Sequence, residues 1–154
     1  MKYLVEFLRA LVVSPEMLSA IIIIAISVYQ PNWVEALGNK VKSDQEIWKF
    51  LPAIPFAILA WAVPQSKDIL FPSASSSNRL LLDWPSYWIL KIRVIVSMLL
   101  ILFCVFASLA IWIFKDEASP FIIGSVFAIS TMVSCVVGCT LWLATINIRQ
   151  IVEK

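Results

Sequence analysis

Few side chains in this chain of 154 residues have the types and spacing needed for chemistry. The chain has no histidine, so the usual His-based acid–base pairs, nucleophilic triads and His-ligated metal or haem sites are excluded. Cys135 and Cys139 lie four residues apart in one apolar stretch and Cys104 lies in another, with no carboxylate or imidazole beside them. We therefore interpret the thiols as small hydrophobic side chains and predict no metal and no cofactor.

One pair of adjacent carboxylates occurs, at Asp116 and Glu117. Such a pair can act as general acid and base, but Ser119 and Pro120 follow after one residue and are typical of a helix start. We expect the two carboxylates in an exposed turn, in contact with water or lipid headgroups. The sequence contains no glycine-rich phosphate loop. These features favour a protein that is not an enzyme.

Long stretches without any charged residue dominate the chain. They cover residues 17–34, 50–66, 94–114 and 118–148. An apolar helix needs roughly 20 residues to cross ~30 Å of hydrocarbon, and in lipid only a helix or a closed barrel pairs its own backbone. Charged residues make up 14% of the chain, against ~25% in an average soluble domain. We predict an all-α integral membrane protein, one domain over residues 1–154 with four transmembrane helices.

Proline and capping signals set the limits of the predicted spans. Ser14 and Pro15 have the residue types of an N-cap and a first helical position, so the first span should begin there. Pro52 and Pro55 predict a kink or an irregular start in the second span. Residues 2–13 carry apolar side chains on one face and predict a short interfacial helix. The predicted spans are about 15–29, 47–63, 94–114 and 120–147, with a cytoplasmic loop at 64–93.

The basic residues predict the orientation of the chain. With the N-terminus in the cytoplasm, inside segments hold Lys2, Arg9, Lys67, Arg79, Lys91, Arg93, Arg149 and Lys154, and outside segments hold Lys40, Lys42, Lys49 and Lys115. The larger group is inside, so the positive-inside rule favours both termini in the cytoplasm. The net charge of +2 is too small to indicate direct nucleic-acid binding.

Glu16 follows Ser14 and Pro15 at the start of the first predicted span. It lies in the first turn of the first span, where it reads as part of the helix-start signal. The charge-free stretches then predict that no ionisable residue lies at membrane depth. Ion-coupled transporters and proton relays normally need charge at that depth, so we do not expect transport of this kind.

The fourth span carries a stripe of small residues at alternating spacings of three and four, which places them along one side of a helix. The stripe consists of Gly124, Ala128, Thr131, Cys135, Gly138 and Thr145. Small residues let helices approach closely in lipid, so we predict a packing surface that assembles a homo-oligomer. Contact within the chain is an equal alternative. A pore lining is a further one, because small and hydroxyl side chains can also face water.

An aromatic and basic segment follows a serine-rich patch in the predicted loop 64–93. Its candidate contact residues are Arg79, Asp83, Trp84, Tyr87, Trp88, Lys91 and Arg93. Segments of this composition commonly rest on the membrane surface. Trp, Tyr and Arg are also the residues that anchor protein interfaces, so docking to a cytoplasmic protein is the functional alternative.

The inner-loop segment Leu80-Leu-Leu-Asp-Trp-Pro-Ser-Tyr-Trp88, in a compact four-pass chain with small outer loops, resembles the stand-alone membrane subunits of prokaryotic antiphage systems. The chain is similar in plan to the membrane subunit of the Kiwa system and to four-span effectors of cyclic-nucleotide signalling defence. The resemblance covers the architecture of the whole chain. The first likeness implies a homo-oligomeric sensor with a cytoplasmic DNA-binding partner, and the second implies a membrane-disrupting effector. It implies no functional residues.

These observations lead to one main hypothesis. We predict a non-enzymatic, homo-oligomeric sensor or scaffold in the bacterial inner membrane, surrounded by membrane lipid, that anchors or signals to a cytoplasmic partner in antiphage defence. The alternatives are a pore-forming, membrane-disrupting effector or channel and, less favoured by the residues, a small intramembrane enzyme.

Overall fold

The computed structural model describes residues 14–71, 87–114 and 116–152, and in these ranges the chain forms five α-helices and no strand. The helices are α1 (Pro15–Tyr29), α2 (Pro31–Ser43), α3 (Gln45–Leu70), α4 (Tyr87–Ile113) and α5 (Pro120–Val152). The predicted all-α class is confirmed. The interfacial helix predicted at residues 2–13 lies outside the described residues.

Three of the helices are long and apolar enough to cross a membrane. Their apolar segments are Glu46–Lys67, Tyr87–Ile113 and Pro120–Ile148. The first predicted span has a different form, because α1 and α2 meet at an angle of 102°. Helix α1 alone reaches only ~22 Å at ~1.5 Å per residue. The described residues therefore contain three helices that could span a membrane, or four if the bent pair is one broken span.

Helix α2 lies where the sequence suggested only a polar connection. Pro31 bars a helical conformation at Gln30, which ends α1 and lets Pro31 begin a new helix. The buried residues of α2 are Val34, Gly38 and Val41, spaced four and three apart on one face. This face contains only three buried residues, and the other residues of α2 are mostly polar or exposed. Hydropathy alone therefore did not reveal the helix.

Helix α5 is the centre of the bundle, because it contacts each of the other helices. Its contact with α2 is made by two glycines. A Cβ atom on Gly38 would collide with the carbonyl oxygen of Pro120, and one on Gly124 would collide with the carbonyl oxygen of Val34. The backbones of α2 and α5 are therefore in direct contact, an approach that only glycine permits.

Helix α3 extends further than predicted at its inner end. It runs without interruption through Pro52, Pro55 and Pro64 to Leu70. Its N-cap is Asp44, whose Oδ1 accepts hydrogen bonds from the backbone N–H groups of the first helical turn at 2.9 and 3.3 Å. The helix therefore starts regularly, and the alternative, a kink at Pro52 and Pro55, stays a prediction.

Helix α4 begins at Tyr87, so both ends of the predicted loop 64–93 are helical. The hydroxyl of Tyr87 donates a hydrogen bond to the carbonyl oxygen of Ile69 at 2.8 Å. This bond satisfies one of the last carbonyl groups of α3, which have no partner within their own helix. The start of α4 is thereby fastened to the end of α3.

The apolar core consists of two clusters. The larger joins α3, α4 and α5 and includes Ala62, Ile69, Val94, Ile101, Cys104, Val133, Val137 and Leu141. The smaller joins α2, α3 and α5 and consists of Val41, Trp48, Leu51 and Ile123. Most other large apolar side chains of α1 and α4 point outward, as expected of helices that face lipid.

The two glycine environments on α5 give a direct test of this packing. Gly124→Ala should lower the free energy of unfolding by ~1–3 kcal/mol, because the new methyl group pushes α2 away. The matched control is Gly138→Ala, whose Cβ would lie 3.6 Å from Cγ2 of Ile58, an ordinary contact. Thermal unfolding in detergent should show a lower Tm for the first variant only. Equal Tm values would contradict the direct α2–α5 contact.

Candidate functional site

The first turn of α1 places a carboxyl group inside the helix bundle. Glu16 is only 2% exposed. Its Oε1 accepts a hydrogen bond from Ser97 Oγ of α4 at 2.9 Å and another from Thr140 Oγ1 of α5 at 2.9 Å. One carboxyl group thus joins three helices.

Local capping fixes the position of this carboxyl group along α1. Ser14 is the N-cap, as predicted, and its hydroxyl oxygen accepts a hydrogen bond from the backbone N–H of Met17 at 3.1 Å. Pro15 occupies the first turn, where its missing N–H has no consequence. Ser19 donates from Oγ to the carbonyl oxygen of Glu16 at 2.7 Å. These contacts fix the first turn of α1, and with it the position of Glu16 in that turn.

The prediction that no ionisable residue lies at membrane depth stays a prediction, but the carboxyl group of Glu16 lies between two long apolar helices. Both partners of Glu16 lie within apolar membrane-crossing segments, Tyr87–Ile113 for Ser97 and Pro120–Ile148 for Thr140. This position of Glu16 reflects a difference in helix length. At ~1.5 Å per residue, α1 is ~22 Å long, α4 ~40 Å and α5 ~50 Å. The first turn of the short helix therefore lies beside the interior of the long ones.

A cavity of about 340 Å³ opens beside this carboxyl group. Its polar lining residues are Ser14, Glu16, Arg93, Ser97, Thr140 and Asn147. The other lining residues are all apolar, and they come from α1, α4 and α5. Its volume falls at the lower end of the ~300–1,000 Å³ typical of small-molecule sites.

An acidic and a basic side chain, Glu16 and Arg93, both line the cavity, and no salt bridge joins them. Arg93 is exposed and lies four residues before Ser97, which is ~6 Å along α4. Among the described residues the one salt bridge joins Lys49 and Glu46, at 2.9 Å and on α3. A ligand in the cavity can therefore contact Glu16 and Arg93 at the same time.

Thr140 has two alternative acceptors for its single hydroxyl proton. Besides Glu16, the carbonyl oxygen of Val137 lies 3.0 Å from Thr140 Oγ1. A hydroxyl group donates only one hydrogen bond at a time. The hydroxyl can therefore turn from the carboxyl group to its own helix without losing a partner.

The predicted small-residue stripe is divided between several environments. Gly124 and Ala128 are buried, and Gly124 contacts α2 of the same chain. Gly138 faces Ile58 of α3. The remaining members are Thr131, which is half-buried, Cys135, which is exposed, and Thr145, which donates to the carbonyl oxygen of Leu141 at 2.9 Å. Contact within the chain therefore accounts for the two buried members, and assembly through the rest stays a prediction.

The candidate partner-contact residues also fall into groups. Arg79, Asp83 and Trp84 lie outside the described residues. Tyr87 is buried at 8% exposure, and Lys91 places its Nζ 5.0 Å from the centre of the Tyr87 ring, a cation–π contact. Trp88 is exposed and Arg93 lines the cavity. Tyr87 thus supports the helix junction, while Trp88 lies at the surface.

The other chemically capable residues are not gathered into a site. Cys104 is buried, and Cys135 and Cys139 are exposed on α5. Asp116 and Glu117 are exposed in the turn after α4, as predicted. In the part of the chain that the structure describes, no three His, Cys, Asp or Glu side chains are grouped closely enough to hold a metal ion.

Fold and site together define a class: an all-α protein whose apolar helices could cross a membrane several times, with a largely apolar cavity that a buried carboxyl group and an arginine also line. Comparison with known proteins adds no relative. No protein-family model matches the chain, and no curated protein and no solved structure matches it.

Sequence reasoning missed the site, although its signals are present. Ser97 and Thr140 are hydroxyl residues in long apolar helices, each in the half of its helix that lies nearer the basic residues of that helix. Glu16 begins a helix too short to match them. A comparison of helix lengths, rather than of hydropathy alone, would have indicated that the carboxyl group reaches these hydroxyls.

The hydrogen bond between Thr140 and Glu16 can be tested by a double-mutant cycle. Thr140→Val removes the donor and should lower the free energy of unfolding by ~1–3 kcal/mol, because a buried carboxyl oxygen loses a partner. Glu16→Gln should make the effect of Thr140→Val smaller, since both changes act on one bond. Thr145→Val is the matched control, because that hydroxyl bonds only within α5. Additive effects of the first two changes on detergent unfolding would contradict the bond.

Proposed function

We propose that the protein is a non-enzymatic sensor of the bacterial inner membrane, which binds a ligand in the Glu16 cavity and signals to a cytoplasmic protein. The observation that carries the proposal is the carboxyl group of Glu16, held by Ser97 and Thr140 beside a cavity that Arg93 also lines. Carboxyl groups among membrane helices are energetically unfavourable and usually mark functional sites.

The surroundings of the carboxyl group support binding rather than catalysis. Ser97 lies 2.9 Å from Glu16 and could be read as a nucleophile beside a base. However, Ser97 and Thr140 lie in the middle of long helices, where backbone N–H groups are already paired. The backbone N–H groups beside them are therefore not free to form an oxyanion hole, which is usually the largest contribution to acyl transfer.

The arrangement of α1 supports a route for the signal. A ligand that takes over the hydrogen bonds of Glu16 competes with Ser97 and Thr140, which hold the start of α1 against α4 and α5. Ser97 lies ~15 Å along α4 from Tyr87, the first helical residue of the proposed partner-contact segment, and ~6 Å from Arg93, its last residue. In this proposal, ligand binding shifts the population of α1 positions, and the inner loop transmits the change.

The exposed face of α5 supports the homo-oligomer in this proposal. Met132, Cys135, Cys139 and Trp142 are all exposed and lie three or four residues apart. Helices in lipid associate through such faces when small residues allow close approach. The resemblance to membrane subunits of antiphage systems favours a sensor of membrane disturbance that works in such a defence.

A pore-forming effector is the second candidate, and buried hydroxyls favour it. Ser108, Ser125 and Ser134 have buried Oγ atoms without a hydrogen-bond partner in the described part of the chain. Such groups are costly to leave unpaired, and a hydrated rearrangement of α4 and α5 would satisfy them. Dye leakage from liposomes that contain the purified protein separates this candidate from the sensor.

The sensor proposal predicts that the cavity controls partner binding. Pull-down of the tagged chain from native membranes should recover a cytoplasmic protein, and Trp84→Ala with Trp88→Ala should release it. Glu16→Gln should change the recovered amount severalfold, because it alters the contacts of α1. Glu35→Gln, the same change at an exposed site on α2, is the control. Recovery independent of Glu16 would contradict signalling from the cavity, and recovery without the tryptophans would favour their resting on the membrane.

The homo-oligomer can be tested with the native cysteines. If copies meet through the exposed face of α5, mild oxidation in the membrane should join Cys135 or Cys139 to a neighbouring copy. We expect a dimer band on non-reducing gels that disappears in the Cys135→Ala, Cys139→Ala variant. Cys104→Ala should leave the band unchanged, because that thiol is buried. A monomer at every oxidant concentration, together with a monomer mass by light scattering, would contradict assembly through α5.

A further inference from the structure

We infer that the Glu16 cavity binds the phosphoethanolamine headgroup of a bilayer lipid, with its ammonium group on Glu16 and its phosphate on Arg93. This inference rests on the proposed function, since it names the ligand class of the same cavity. Three features of the cavity support this headgroup: its two charged side chains, its hydroxyl donors and its apolar walls.

The two charged side chains match a zwitterion. Glu16 and Arg93 line one cavity, no salt bridge joins them, and Arg93 lies ~6 Å along α4 from the Ser97 that holds Glu16. A purely anionic headgroup would bring negative charge against Glu16, and a purely cationic one would face Arg93. In a phosphoethanolamine group the ammonium and the phosphate are close neighbours, so each meets its opposite charge. A guanidinium group is also suited to bind two phosphate oxygens together.

The hydrogen-bonding groups favour a primary ammonium over a quaternary one. Glu16 accepts hydrogen bonds in the structure, and an ammonium group offers three donors that can replace those of Ser97 and Thr140. A choline headgroup has no N–H, so it cannot replace the hydrogen bonds of Ser97 and Thr140 where it displaces them. The site should therefore distinguish the two lipids although both are zwitterionic.

The apolar walls favour a lipid over a soluble ligand. Leu90, Val94, Leu143 and Ile148 line the cavity. Leu143 is 53% exposed, so the wall continues onto the outer surface of α5, beside the exposed Trp142. A headgroup in the cavity can therefore leave its acyl chains along this surface, in the hydrocarbon. Trp142 belongs to a residue type enriched where such chains meet the headgroup region.

The experiment titrates short-chain phosphatidylethanolamine, phosphatidylglycerol and phosphatidylcholine into the delipidated full chain in detergent, with thermal stabilisation as the readout. We expect phosphatidylethanolamine to bind at least tenfold more tightly than the other two. Arg93→Gln should remove this preference, and Lys91→Gln, a matched change on the same helix that does not line the cavity, should keep it. Glu16→Gln should also remove it. Arg93 is exposed, so its variant stays informative if Glu16→Gln does not fold.

Equal binding of phosphatidylglycerol, or a preference that survives Arg93→Gln, would overturn the inference. Glycerophosphoethanolamine, the same headgroup without acyl chains, distinguishes the source. Weak binding of this compound supports a bilayer lipid, and binding as tight as that of the lipid overturns the lipid assignment in favour of a soluble ligand. Partner recovery is a separate readout. If it depends on Glu16 while lipid preference is absent, the headgroup assignment fails and the proposed sensor function does not.

Discussion

The position of α1 depends on keeping the carboxyl group of Glu16 hydrogen-bonded. Removing such a group from water without partners costs several kcal/mol, and the hydroxyls of Ser97 and Thr140 offset that penalty. Beyond Glu16, α1 buries only Ile23 and Ser27, and most of its large apolar side chains face outward. Apolar contact on α5 and the two hydroxyl groups therefore together determine where α1 lies.

The opposite end of the α1–α2 unit is held in a different way. There the glycines at 38 and 124 bring two backbones together, and the contact tolerates no side chain. Glycine contacts of this kind are rigid, whereas hydrogen bonds to a carboxyl group can be exchanged for those of a ligand. The unit thus has one fixed end, at α2, and one exchangeable end, at Glu16. This asymmetry is what a helix that responds to a ligand needs.

The helical class could be predicted from the sequence, whereas the position of Glu16 in the bundle could not. The charge-free stretches and Ser14 located the helices because backbone pairing in lipid and helix capping are local rules. The predicted loop 64–93 is helical at both ends, and the hydrogen bond that joins those ends links Tyr87 to Ile69, 18 residues apart, which no local pattern predicts. The position of Glu16 depends on how far α1, α4 and α5 are shifted along one another. No local sequence pattern predicts such a shift.

Exchange at Glu16 requires that the displaced hydroxyls are not left unpaired. Thr140 meets this condition, because Val137 offers its carbonyl oxygen at 3.0 Å when the carboxyl group turns away. A hydrogen bond to a charged group contributes ~1.5–3 kcal/mol, so a ligand that replaces two of them competes on nearly equal terms. A ligand shifts an equilibrium only by its difference in affinity for the two states. That difference must then come from groups that the hydroxyls do not engage, and in this cavity the charged one is Arg93.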